Sequence, residues 1–155
     1  MKNIAILLVV LLASGIVSNV YATDENHSMM QMMHHQSSLA SDGRIPLGLS
    51  PMMKQHQLAN MRSHLKAVQS IIGLIAAGSF VQAADIAHSK LGLTKEMKKM
   101  CNSFHNQRFR TLGLAFHKSA DKLGDILLTR DSKRSLQALQ TTMGYCVECH
   151  TNFRQ

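Results

Sequence analysis

The pentapeptide Cys146-Val147-Glu148-Cys149-His150 sits inside an apolar repeat that restricts how the chain around it can fold. Leu136, Leu139, Met143, Cys146, His150 and Phe153 recur at alternating spacings of three and four, the period of one side of an α-helix. A strand would alternate every second residue. The pentapeptide therefore belongs to a last helix that starts near Asp131 or Ser132, and it is in phase with that helix's core side. Ser50-Pro51 is a helix start, with serine as N-cap and proline in the first turn. Leu58, Met61, Leu65, Val68, Ile72 and Ile75 follow at core spacing as far as Gly78. Ser79 with Gln82 reads as a capping box for a shorter second helix bearing Phe80, Ala83, Ala87 and Leu91, ended by Gly92. Thr94 caps a third helix, continuous or broken, that reaches Leu128 through Phe109, Leu112, Phe116, Leu123 and Ile126. Four helical patterns, short connections and almost no strand signal predict an all-α chain, an antiparallel four-helix bundle with the pentapeptide on its C-terminal helix.

Ahead of the bundle the chain changes character twice. Lys2, an apolar run from Ile4 through Val20 and the small-residue end Val20-Tyr21-Ala22 have the order of a secretory signal peptide, with residues 1–22 as the leader. An uncleaved membrane anchor is the alternative, against which the run's short core and its interruptions at Ser14, Gly15, Ser18 and Asn19 argue. Residues 23–49 read as a flexible tail and connector, irregular around Pro46 and Gly48, and residues 50–155 as one domain. Beyond the leader, 16 Lys and Arg face 9 acids, a formal +7. Export and an aromatic content of 5% argue against nucleic acid. An acidic redox partner or an anionic membrane surface suits a periplasmic location better, and a merely solvated basic surface is the alternative.

Chemistry concentrates in the pentapeptide. C-x-x-C-H is the attachment signal for a c-type haem. Residues three apart share one side of a helix, so Cys146 and Cys149 can both add to the vinyl groups of one porphyrin, while His150 supplies a neutral imidazole nitrogen to the iron. A disulfide redox pair normally opens a helix after a strand, and a zinc site needs a further ligand pair nearby; neither setting is found here. The third cysteine, Cys101, is read as a small buried hydrophobe, with pairing between subunits as the alternative. Phe104, Phe109 and Phe116 are core or haem-contact candidates. His27, Met29, Met30, Met32, Met33, His34 and His35 form a separate cluster of soft ligands suited to Cu(I), unless the tail carries no metal.

A C-x-x-C-H near the end of the last helix of an exported four-helix bundle resembles cytochrome c′ and its low-spin relatives. The resemblance covers Ser50 to Arg154, about two thirds of the chain. It implies one covalent haem c and a basic residue four positions beyond the haem histidine, which Arg154 matches, with Phe153 at a position where an aromatic residue is common. The stretch Lys54-Gln55-His56-Gln57-Leu58-Ala59-Asn60-Met61-Arg62-Ser63-His64 is similar to the family's first helix and implies Leu58 over the distal side of the haem. Leucine cannot ligate iron, so the expectation is a five-coordinate haem open to nitric oxide or carbon monoxide. Met61 is the rival sixth ligand, and His64, read as an edge or surface residue, a weaker one. Dimerisation through the first two helices is common in the resembling family. The expected role is periplasmic electron transfer with diatomic binding at the same haem. A gas-binding module without electron transfer and a copper-handling protein that uses the tail are the alternatives. No acid/base or nucleophile set beyond the haem motif points to an enzyme.

Overall fold

Ser50 has extended backbone, its hydroxyl accepts from the Met53 amide at 3.3 Å, and Pro51 opens the first helix, α1 (Pro51–Ala76). The computed structural model describes residues 42–155, so the leader expected over 1–22 and the soft-ligand residues from His27 to His35 lie outside the described residues. The chain there is mostly helical, with almost no strand, as an all-α sequence requires. Helix α1 ends at Gly78, whose φ of 71° is favoured for a residue without Cβ.

Helix α2 (Phe80–Ile86) continues into a π turn, Ala87–Leu91. The Ser79–Gln82 capping box does not form: Ser79 has φ −87°, ψ 57°, and its side chain makes no capping bond. The Ser79 amide instead donates to the Leu74 carbonyl at 2.8 Å, so backbone closes the turn. Gly92 ends this element with ordinary negative φ. The reason for glycine there is a close approach, because a Cβ would collide with Asp121 and the His88 carbonyl.

The third predicted helix is two helices, α3 (Lys95–Asn102) and α4 (Gln107–Leu127). Thr94 caps α3 by accepting from Met97 N, and Asn106 starts α4 anew by accepting from Phe109 N at 3.0 Å. Asp131 caps α5 (Ser132–Asn152) by accepting from Arg134 N. Two short strands, β1 (Ile45–Pro46) and β2 (Phe153–Arg154), pair in parallel, so the expected irregular connector is fastened to the chain's C-terminal end.

Helix α1 packs on α2, α2 on α4, and α4 on both α3 and α5, whereas α1 and α5 are not closely packed together. Arg108 faces Glu148 and Ser119 bonds Thr142, pairs that run in opposite directions along the chain and make α4 and α5 antiparallel. The core joins Val68, Ile71 and Ile75 of α1, Phe80 and Leu91, Phe116, Leu123 and Leu127 of α4, and Leu139 of α5. Four predicted core positions on α1 are not in it: Leu65 is 70% exposed and Ile72 46%, while Leu58 and Met61 are half-buried outside it. The buried line on α1 runs instead through Gln57, Val68, Ile71 and Ile75, one step around the helix.

His64 is a further correction. Its ring is drawn inward, 5.2 Å from that of Phe116 and 5.5 Å from that of His117. His117 is buried and bonds the Leu91 carbonyl through Nδ1 at 2.6 Å. Burial, then the neighbouring His117, holds the His64 imidazole down to about 4 from an ordinary 6.5. Burial also lowers His117, partly offset by the Leu91 carbonyl and Asp121. Both rings are therefore neutral in the folded chain at pH 7. In the unfolded chain they gain protons as pH falls through 6.5, where the folded chain resists. Urea unfolding should accordingly show stability falling by about 2 kcal/mol from pH 7 to pH 4, and His64→Phe should flatten much of that slope. Ser135 is fully buried and its hydroxyl has no partner, so Ser135→Ala should raise unfolding stability by about 1 kcal/mol in the same titration.

Candidate functional site

Helix α5 meets α4 along a line that fixes its rotation. The Ser119 and Thr142 hydroxyls lie 2.8 Å apart, and Glu148 is 3.9 Å from Arg108. With about 100° per residue, Ser135, Leu139, Thr142, Cys146 and Cys149 then form the inner line, each buried or half-buried. The two cysteines follow Thr142 at spacings of four and three, and Phe153 ends the line, buried. Cys146 packs against the core cluster, and neither thiol is in a disulfide.

The predicted core side of α5 is thus only partly right. Leu136 is 50% exposed and Val147 65%; Met143 and His150 are exposed as well. These four lie on the side of the helix turned away from α4. The pentapeptide therefore spans two sides, with thiols along the inner line and the imidazole on an apolar flank beside it.

Helix α1 carries a matching flank. Lys54, Leu58, Met61, Leu65 and Ile72 fall on one side of it, and at the head of that side the Lys54 ammonium donates to the Gln155 carbonyl at 3.5 Å. Leu58 and Met61 are half-buried and lie outside the packed core cluster. His64, by contrast, points toward α4, where it meets Phe116 and His117. Of the three distal candidates, only Leu58 and Met61 share the side of Lys54 that reaches the chain's end.

Aromatic rings close the inner end of the site. Phe109 lies edge-on to Phe104 at 4.7 Å and to Phe153 at 5.3 Å. Cys101 is buried beneath Gly113, in accord with a packing role, and burial pushes its thiol up. Arg154 is exposed in β2, with its Nε 3.8 Å from the Asp42 carboxylate. Arg44 makes a bidentate pair with the same carboxylate, chiefly through hydrogen bonding, and holds Asp42 down to about 2. Its remaining guanidinium nitrogen donates to the His150 carbonyl at 3.3 Å.

The sequence pattern missed Asp42, Arg44 and His117. A charge pair two residues apart in a connector carries no periodic signal, and a histidine beside core Phe116 looks like a surface neighbour until helix packing is known. Among the described residues no three His, Cys, Asp or Glu side chains are grouped to hold a metal ion, and no helix is long and apolar enough to cross a membrane. Comparison of the chain with protein-family models, curated proteins and solved structures found no match.

Electrostatics at the thiols follow from this placement. Burial raises Cys146, and burial raises Cys149 further, to about 11, with Cys146, Glu148 and Cys101 adding to it and Arg108 opposing. The thiolate is the alkylating form. In the haem-free chain at pH 8, Cys149 should therefore react with iodoacetamide roughly a hundredfold more slowly than an ordinary thiol, measured by mass spectrometry, and at the ordinary rate once urea unfolds the chain.

Proposed function

We propose that the chain is a mono-haem c-type cytochrome of the periplasm, carrying one haem c on Cys146 and Cys149 with His150 as proximal ligand, and that it acts in electron transfer. The observation that carries this is the arrangement of the pentapeptide on α5. Two unpaired thiols three residues apart lie along one line, and the histidine stands beside them on an exposed apolar flank. A structural cysteine pair would be bonded or sunk in the core, and a surface histidine would have polar company. Here the exposed Val147 lies one turn before His150 on the same flank and Met143 a further turn back, an apolar surface of the kind a macrocycle needs.

The rest of the chain fits the same group. Helices α1 and α5 are not closely packed together, and the half-buried Leu58 and Met61 lie on the side of α1 whose Lys54 reaches the residue beyond α5. We read the four long segments as an antiparallel bundle of the cytochrome c′ kind, with α3 as an addition between its second and third members. Bound there, haem supplies one-electron redox chemistry and an axial position for diatomic ligands such as nitric oxide or carbon monoxide. Cys146 and Cys149 would hold such a group covalently and His150 would ligate its iron, with Leu58 as an apolar neighbour that cannot ligate. Met61 is the rival sixth ligand, whereas His64 is engaged with His117 and Phe116. The formal +7 of the chain beyond its leader suits an acidic redox partner.

Expression of the full chain with a haem-maturation system should give a pyridine haemochrome spectrum with the bands of thioether-linked haem. Cys146→Ala with Cys149→Ala should abolish covalent attachment on a denaturing gel; unchanged haem in that double variant would refute the site. In the wild type, a high-spin ferrous spectrum that shifts with carbon monoxide is expected for Leu58 over the iron. A sulfur-to-iron band in the ferric spectrum, lost in Met61→Leu, would assign the sixth position to methionine.

A further inference from the structure

A polar, proline-containing stretch ahead of the first helix has little of its own to order it. In residues 42–47 the order comes from the far end of the chain. Arg44 Nε and Nη2 lie 2.9 and 2.8 Å from the two Asp42 carboxylate oxygens, and Arg154 approaches the same carboxylate at 3.8 Å. Ile45 and Pro46 pair with Phe153 and Arg154, and the Leu47 amide donates to the Arg154 carbonyl at 2.9 Å. These contacts grip one turn of backbone, from His150 to Arg154.

The contact at His150 has a particular chemistry. The last four carbonyls of a helix lack acceptor duty within it, and α5 ends at Asn152, so the His150 carbonyl is one of them. Arg44 Nη1 donates to it at 3.3 Å and brings a cation to the negative end of the helix dipole. Because the other nitrogens of the same planar group are engaged by Asp42, the donor is held in direction as well as in distance.

We infer that Asp42 and Arg44 form a strap that fixes the turn from which the His150 imidazole projects, so that Arg44 is a positioning residue for the haem ligand; this rests on the haem proposal above. Outer groups that orient a ligating histidine usually act through its second ring nitrogen. Arg44 acts through the ligand's own backbone carbonyl. Lys54 offers an internal comparison, since it donates to the same end of the chain but at Gln155, beyond the gripped turn.

The test uses the full chain matured with haem, as wild type, Arg44→Ala, Arg44→Lys and Lys54→Ala. Haem content is measured first, by pyridine haemochrome. The hyperfine-shifted haem-methyl resonances of the ferric protein then report the orientation of the ligand imidazole. Haem content should be equal in all four, and the methyl pattern should change in Arg44→Ala, return part-way in Arg44→Lys and stay unchanged in Lys54→Ala. Exchange of the Leu47 amide should be roughly tenfold faster in Arg44→Ala. A haem-loaded Arg44→Ala with the wild-type methyl pattern overturns the strap's role even if its melting temperature falls, because anchoring alone would lower that. A wild type without thioether-linked haem removes the cytochrome proposal and the strap inference together, and the haem assay alone identifies that case.

Discussion

The packing of α4 against α5 sets the rotation of the last helix, and the positions of the site residues depend on that rotation. The hydroxyl of buried Thr142, bonded to that of half-buried Ser119, has few orientations in which both oxygens are satisfied. This bond holds Thr142 inward, and the period of the helix then carries Cys146 and Cys149 inward as well. A turn of α5 by one residue, about 100°, would send the thiols toward solvent and the histidine toward α4. The Arg108–Glu148 pair is exposed and adds little energy, though it spans the same two helices nearer the end of α5.

The two ends of the helical layer differ in how they are filled. Toward Ile75, Phe80, Leu123 and Leu127 the interior is close-packed hydrocarbon, with Leu123 and Leu127 fully inaccessible. Toward Leu58, Met61 and the thiols, side chains remain half-open and the polar Gln57 is buried instead of an aliphatic residue. Exposed apolar side chains occur at both ends, Ile72, Leu128 and Leu136 at the first and Met52 and Val147 at the second, so it is the half-buried thiols and their motif that support the proposed cofactor at the second. The neutral His64–His117 pair stands at the boundary between the two regions.

Much of the fold was legible in the amino-acid pattern because helix periodicity and capping are local. Ser50, Thr94 and Asp131 act as the caps their chemistry suggests. The rotations were less legible. Periodicity alone did not separate Ile71 from Ile72 on α1, or Leu139 from Leu136 on α5, since neighbouring apolar residues make a stripe broader than the buried line. The break at Ser103–Asn106 rests on a single local cap, Asn106, that the apolar period does not reveal, and the π turn at Ala87–Leu91 has tertiary company, with His88 lying against Gly124 and bonding the Asp121 carbonyl. Cys146, Cys149 and His150 stood out as a motif, whereas the polar contacts around Arg44 join residues 106 apart and leave no trace in a local window.

That separation has a kinetic meaning. Helices α1 to α4 can assemble from contacts between near neighbours in the chain, which close at little entropic cost. The short parallel ladder between Ile45–Pro46 and Phe153–Arg154 cannot form until the intervening chain has drawn these two pairs of residues together. By sequence separation this ladder is therefore a costly closure among the contacts of the described residues. Until it closes, the end of the helix that carries Cys149 and His150 lacks its partner strand, so these two residue pairs tie the motif to the segment ahead of α1.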